Sequence, residues 1–232
     1  MKDGISIVVP AYNEEEGICD FLSALVPVLK NLGREFEVLI IDDGSTDRTV
    51  ERVEEWREGG ERIKVFSLGE NRGIGFALSV GFSMASLPLI GYCDADIPFY
   101  MGLWGPAIWF LEESGADMLC GRRTNRHIEG ARRYIYTVGF NVLVSRALKI
   151  KVHDINSPFK IIRKEILERV QLVSEKSLID AELIDKVQRA GGRIVEFPYD
   201  YRIRSKGGTK LGNVKNAVNT FADLVKYLRM RE

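Results

Sequence analysis

Between residues 5 and 94, short unbroken apolar runs alternate with helical patterns, and that alternation confines the fold more than anything else in the chain. The runs at 5–10, 36–41, 63–67 and 89–94 lack the in–out alternation of a strand with one wet face, so each is expected to be a strand buried on both faces. Helical patterns at 14–31, about 46–57 and 73–86 separate them. Strands of this kind joined by helices predict an α/β fold, a mostly parallel central sheet flanked by helices.

The second half is less regular. Helices are expected at 101–114, 132–148 and 178–190, the last stopped by Gly191-Gly192. Strands are expected at 116–121, at 157–163 leading into a helix from Lys164, and at 193–197 before Pro198. In 212–230, Val214, Val218, Phe221, Val225 and Leu228 recur at spacings of four, three, four and three, one apolar stripe on a helix. The stripe suits packing onto the domain. With Lys215, Lys226 and Arg229 beside it, it also suits lying on a membrane.

Composition excludes several classes. The chain has 232 residues, 45% hydrophobic and 28% charged, enough for a sizeable core. Cys19, Cys93 and Cys120 lack metal-ligand spacing, and the last two sit in apolar runs, as expected of core thiols in a reducing compartment. The first apolar run is too short for a signal peptide, and no run approaches the roughly 18–20 apolar residues of a membrane span. The chain is formally neutral but unevenly so. Residues 121–133 carry five Arg against Glu129, and 202–232 carry eight Lys and Arg against Asp223 and Glu232, leaving the rest acidic. A basic C-terminal third suits phosphate groups or an anionic membrane surface, and no nucleic acid is expected.

The chemistry gathers where the apolar runs end. The fourth ends in Asp94-Ala95-Asp96, two carboxylates one residue apart, which suits a hard cation such as Mg²⁺ or Mn²⁺. The first ends in Val8-Val9-Pro10-Ala11-Tyr12-Asn13-Glu14 and the second in Ile41-Asp42-Asp43-Gly44-Ser45-Thr46-Asp47. After the third comes Asn71-Arg72-Gly73-Ile74-Gly75. In open α/β sheets, ligands bind outside the carboxyl ends of the strands, so all four loops are expected around one crevice. Taken singly, Asn13 and Glu14 also read as helix caps, and Asp-Gly-Ser as a turn.

In order and spacing these segments resemble the inverting, GT-A-fold nucleotide-sugar glycosyltransferases of family 2. More narrowly they are similar to the polyprenyl-phosphate branch: dolichol-phosphate mannose synthases and glucosyltransferases. The resemblance implies one catalytic domain over 1–211, donor-binding to about 96 and acceptor-binding beyond, with 212–232 as an amphipathic helix. It implies that Pro10, Ala11, Tyr12 and Glu14 line the base and ribose pocket and that Asp43 contacts the base. Asp94 and Ala95 approach the ribose and diphosphate. Asp94 and Asp96 are the metal pair, Asp96 the direct ligand, for Mg²⁺ or Mn²⁺. On the acceptor side, Arg123 and Arg133, with Thr137 near the latter, resemble the grip on a lipid phosphate. Asp154-Ile155-Asn156-Ser157-Pro158-Phe159-Lys160 resembles an Asp-x-x-Ser-Gly-Phe segment, and Asp180-Ala181-Glu182 an Asp-x-Glu behind the site. Arg204, Gly207, Thr209, Lys210 and Leu211 resemble a loop that closes over the diphosphate, which places Arg204 and Lys210 among the catalytic candidates.

The implied reaction is metal-dependent, inverting transfer of a hexose from GDP-mannose or UDP-glucose to a polyprenyl or dolichyl phosphate. The implied place is cytoplasmic, at the cytoplasmic face of a membrane, reached by peripheral contact or a membrane-protein partner. Pro98 departs from the family pattern, which often has a metal-binding Gln there, and Pro158 replaces a Gly. An alternative is the same fold acting on a hydroxyl, which needs a base such as Asp154, Asp180 or Glu182. A nucleotide-binding module without catalysis is a second alternative. Phe99, Tyr100, Trp104, Trp109 and Phe110 read as helix packing, or as an apolar path for a lipid chain. His127 and His153, in polar surroundings, are not expected to be catalytic.

Overall fold

The apolar runs become one sheet because each is buried on both faces. In the computed structural model, which describes residues 4–57, 62–125, 131–202 and 214–231, the first half forms β1 (Gly4–Ala11), α1 (Ile18–Asn31), β2 (Glu35–Asp42), α2 (Thr49–Trp56), β3 (Ile63–Ser67), α3 (Ile74–Met84) and β4 (Leu89–Cys93). The second half forms a short 3₁₀ turn and α4 (Trp104–Glu113), β5 (Met118–Arg123), α5 (Ala131–Leu148), β6 (Phe159–Arg163), α6 (Lys164–Leu167), α7 (Ile179–Arg189), β7 (Ile194–Tyr199) and α8 (Val214–Met230). The side chains of 131–137, 140 and 214–221 lie outside that description.

The sheet order is β3-β2-β1-β4-β6-β5-β7. β1 to β4 are parallel, and β7 is parallel to β5. β6 is antiparallel to both its neighbours, β4 and β5. The expected mostly parallel, helix-flanked sheet is therefore what forms.

Alternation sends side chains to two cores. Ile5, Ile7 and Val9 of β1 meet Ile18, Phe21, Leu22, Leu25 and Leu29 of α1 on one face. Val8 and Leu39 meet Ala77, Leu78 and Phe82 of α3 on the other. α3 lies close to the sheet: a Cβ at Gly81 would stand 2.3 Å from Val8 Cγ1. On the first face Phe99, Trp104, Phe159 and Tyr199 form an aromatic cluster, with Phe99 and Phe159 centroids 4.1 Å apart.

Two expectations shift. The stripe expected on the last helix is rotated by one residue where side chains are described: Leu224 and Tyr227 are the buried positions, and Val225 and Leu228 only border them. Of the aromatic run, Phe99 and Trp104 are core, Phe110 packs on Phe197, and Tyr100 and Trp109 are 62% and 63% exposed.

Candidate active site

β1, β2 and β4 end side by side at Ala11, Asp42 and Cys93, and parallel pairing brings the loops after them to one edge. Much of their polar sequence joins loop to loop. Asn13, in the left-handed region at φ 53°, donates its backbone N–H to Ser45 Oγ at 2.9 Å and accepts from Thr46 N at 2.8 Å. Glu14 N donates to Thr49 Oγ1, Glu15 N to Asp47, and Arg48 N to Glu15. Ser45, Thr46 and Asp47 thus fasten the loop after β1 to the loop after β2. Pro10, Tyr12 and Glu14 stay partly exposed there, and Ala11 is buried, its carbonyl accepting from Asp43 N at 2.8 Å.

Both carboxylates after β2 are held. Asp42 accepts from Ser67 Oγ at 2.7 Å and Ser45 N at 3.1 Å. Asp43, 5% exposed, accepts from the backbone N–H of Arg72 at 2.8 Å and of Gly73 at 2.9 Å. Gly73 has φ 99°, a conformation for which glycine is suited. Asp43 therefore fixes the loop after β3 against the loop after β2.

Asp94 and Asp96 stand half-buried on either side of buried Ala95. Burial, then the carboxylates of Asp96 and Asp180, push Asp94 up to about 7, while Lys160 and Arg123 pull the other way. Two crowded carboxylates in this state gain from a cation between them. Among the described residues no group of three or more His, Cys, Asp or Glu could cage a metal. A hard cation held by one or two carboxylates, water and substrate phosphates needs no such cage, so the donor set fits Mg²⁺ or Mn²⁺. The next residue, Ile97, has φ 53°, unusual for a β-branched side chain, and Pro98 O accepts from Arg202 N at 2.8 Å.

Beneath Asp94 lies a group to which the sequence assigned no role. Lys160 is fully buried on β6, opposite Tyr92 of β4. Its Nζ donates to Ser157 O at 2.6 Å, to Asp180 Oδ1 at 2.7 Å and to Tyr92 Oη at 3.1 Å. Tyr92 donates its own hydroxyl to Asp180. Burial and the Asp180 charge raise the Tyr92 phenol well above its ordinary range. The available signal was a lysine inside the apolar strand Phe159-Lys160-Ile161-Ile162, since a buried ammonium needs partners.

On the acceptor side, Arg123 is 8% exposed and Asp154 1%. Nε and Nη2 of Arg123 each lie 2.8 Å from a carboxylate oxygen of Asp154, a bidentate pair, and its backbone N–H donates there at 3.1 Å. The Arg123 guanidinium also sits 5.4 Å from the Tyr201 ring centroid. Glu182, fully buried, accepts from the backbone N–H of Val173 and Ser174. The three reserve bases are thus each engaged: Asp154 with Arg123, Asp180 with Lys160, Glu182 with two amides and with Lys186 Nζ at 2.6 Å. His153 is exposed and pairs with Glu196 at 2.6 Å. The side chains of Arg133 and Thr137, and residues His127, Arg204, Gly207, Thr209, Lys210 and Leu211, lie outside the described residues.

Sheet order, the four converging loops and the carboxylate pair define a GT-A-type nucleotide-sugar transferase domain. Residues 6–171 match the model of glycosyl transferase family 2, and the chain belongs to that family. It is 28% identical over 217 residues to a dolichol-phosphate mannosyltransferase of Pyrococcus furiosus, covering 89% of this chain and 59% of the relative. It is 26% identical over 228 residues to an undecaprenyl-phosphate 4-deoxy-4-formamido-L-arabinose transferase of Edwardsiella ictaluri, covering 97% and 67%. The fold is similar to that of glucosyl-3-phosphoglycerate synthase from Mycobacterium tuberculosis, solved with Mn²⁺, uridine diphosphate and glucosyl-3-phosphoglycerate. There the TM-score is 0.68 at 17% identity, covering 97% of this chain and 77% of that one. The chain thus spans 59% of the first curated relative's length and about two thirds of the second's.

Proposed function

We propose that this chain transfers a hexose, with inversion, from a nucleoside-diphosphate sugar to a polyprenyl or dolichyl phosphate, using Mg²⁺ or Mn²⁺. GDP-mannose and UDP-glucose are the leading donors. The names of the two curated relatives support this acceptor class. The observation that carries it is the engagement of Asp154, Asp180 and Glu182 in buried pairings. A hydroxyl acceptor needs a base, whereas a phosphate monoester carries about −1.5 to −2 charge at pH 7 and attacks without one.

In this reading the base and ribose lie against Pro10, Ala11, Tyr12 and Glu14, beside Asp43. Asp94 and Asp96 hold the cation, which neutralises charge on the leaving diphosphate. Arg123, its guanidinium held by Asp154, and Arg133 position the acceptor phosphate. Arg204 and Lys210 close on the diphosphate. Such a site works by positioning and by charge placed where charge develops. Among the described residues no helix is long and apolar enough to cross a membrane. We place the encounter with the acceptor at the cytoplasmic face of a membrane, by peripheral contact or through a membrane-protein partner.

The test is a donor screen, with Mn²⁺ or Mg²⁺ and with dolichyl or undecaprenyl phosphate. Transfer of one sugar to the lipid phosphate, abolished by EDTA, is the expected result. Donor hydrolysis without lipid transfer would move the acceptor to a hydroxyl. Absence of donor binding would remove the reading.

A further inference from the structure

The first turn of α7 carries two acids whose bonds reach beyond their own helix, although Glu182 also pairs with Lys186 one turn on at 2.6 Å. The residue before the helix, Leu178, makes no side-chain cap, and both Asp180 and Glu182 reach other segments. An acid near a helix N-terminus gains only modestly from the dipole. That is less than burying a carboxylate costs, and Glu182 is fully buried, so its partners must be what hold it there.

Each acid leads to a different part of the candidate site. Asp180 accepts from Lys160 Nζ and the Tyr92 hydroxyl, and Tyr92 precedes Asp94 by two residues at the end of β4. Glu182 accepts from Val173 N at 2.8 Å and Ser174 N at 2.7 Å. The next residue, Glu175, accepts from Phe76 N at 3.1 Å through its carbonyl and pairs with Arg72 through its carboxylate at 2.8 Å. The fit there leaves no room: a Cβ at Gly75 would stand 2.3 Å from Ser174 O, and one at Gly73 2.6 Å from Glu175 O. The backbone N–H groups of Arg72 and Gly73 are the ones that hold Asp43.

We infer that the first turn of α7 is a two-armed positioning element, Asp180 setting the strand end that carries Asp94 and Glu182 setting the loop that holds Asp43. Asp180 acts on the cation side through Tyr92 and Lys160. Glu182 acts on the nucleotide side through the 173–175 segment and the Gly73–Gly75 loop. The inference rests on the proposed donor site and assigns its two halves to separate supports.

The test separates the arms by what they bind. Calorimetric titration with UDP and with GDP, without metal, reads the nucleotide side. Mn²⁺ titration of the nucleotide-saturated protein, followed by electron paramagnetic resonance, reads the cation side. Glu182→Gln, or Gly75→Ala where Glu182→Gln does not fold, should weaken nucleotide binding about tenfold and leave Mn²⁺ affinity within about twofold. Asp180→Asn, or the milder Tyr92→Phe, should weaken Mn²⁺ binding about tenfold, as loss of outer support does in metal sites, and leave metal-free nucleotide binding within about twofold. Equal losses on both sides in every variant would reduce the turn to general stability and overturn the inference, as would four unshifted variants. Wild-type protein that binds neither UDP nor GDP, with or without Mn²⁺, would remove the donor-site reading and this inference with it. Wild-type binding beside unshifted variants would overturn the inference alone.

Discussion

A guanidinium buried beside a carboxylate is stable only as a pair, and Arg123 and Asp154 are such a pair. Removing one partner leaves an uncompensated charge below the surface. Arg123→Ala should cost about 3–5 kcal/mol in urea unfolding, whereas Arg123→Leu combined with Asp154→Leu should cost far less than the two single changes together. Additive losses would mean that the pair is not coupled. Ile97 stands at the same scale with the opposite sign. Its left-handed backbone stores about 1–3 kcal/mol of strain, offset by packing of its partly buried side chain. Ile97→Gly removes both, so its unfolding free energy should change by less than about 1 kcal/mol. A loss of the 2–5 kcal/mol typical of core truncation would show that the position is not strained. Residue roles were only partly legible. Asn13, Ser45, Thr46 and Asp47 carry chemistry suited equally to a ligand or to a loop joint, and the structure uses them as joints. Lys160 was hidden by its own motif, because burial depends on β6 pairing with β4, which no local pattern specifies.

Among elements, Glu37 of β2 ties four segments together. It accepts from Ser6 on β1, from Lys64 on β3, and from the Ser86 N–H and hydroxyl just before β4. Burial alone would raise its pKa, but the bonds from Ser86, Ser6 and Lys64 outweigh it and bring the carboxyl down to about 2. A depressed carboxyl stabilises the fold above its unfolded pKa, near 4.5, and that contribution is lost as pH falls from there toward 2. Glu37→Gln should therefore cost on the order of 2–3 kcal/mol at pH 7, and the gap to wild type should shrink below about pH 4.5 and close near pH 2. A gap of constant size across that range would show that the charge contributes nothing. The elements themselves were the most legible level. Strands buried on both faces announce themselves as unbroken apolar runs, so β1 to β4 were placed within about two residues. Strand direction was not legible: Phe159–Arg163 reads the same whether parallel or antiparallel, and only its place between β4 and β5 fixes it.

For the molecule as a whole, the open question at sequence level was whether the last helix belongs to the core or to a membrane. The two uses demand the same apolar stripe, so periodicity could not choose between them. Where side chains are described, the structure gives α8 to the core. Leu224 and Tyr227 are 3% and 2% exposed in the cluster formed with α3, α5 and α7. The Tyr227 hydroxyl donates to Asp185 Oδ2 at 2.8 Å, and Arg231 Nη2 donates to Asp185 Oδ1 at 2.7 Å and to Leu148 O at 3.2 Å. Asp185, fully buried on α7, thus holds the end of α8, while Lys226, Arg229 and Met230 face outward. Leu224→Ala should lower stability by about 2–5 kcal/mol, and Tyr227→Phe by about 1–3 kcal/mol, since it leaves Asp185 with one donor fewer. Neither change should alter co-sedimentation with anionic phospholipid vesicles. The reverse pattern, vesicle binding lost and unfolding unchanged, would assign these last turns to the membrane and require another partner for the buried Asp185.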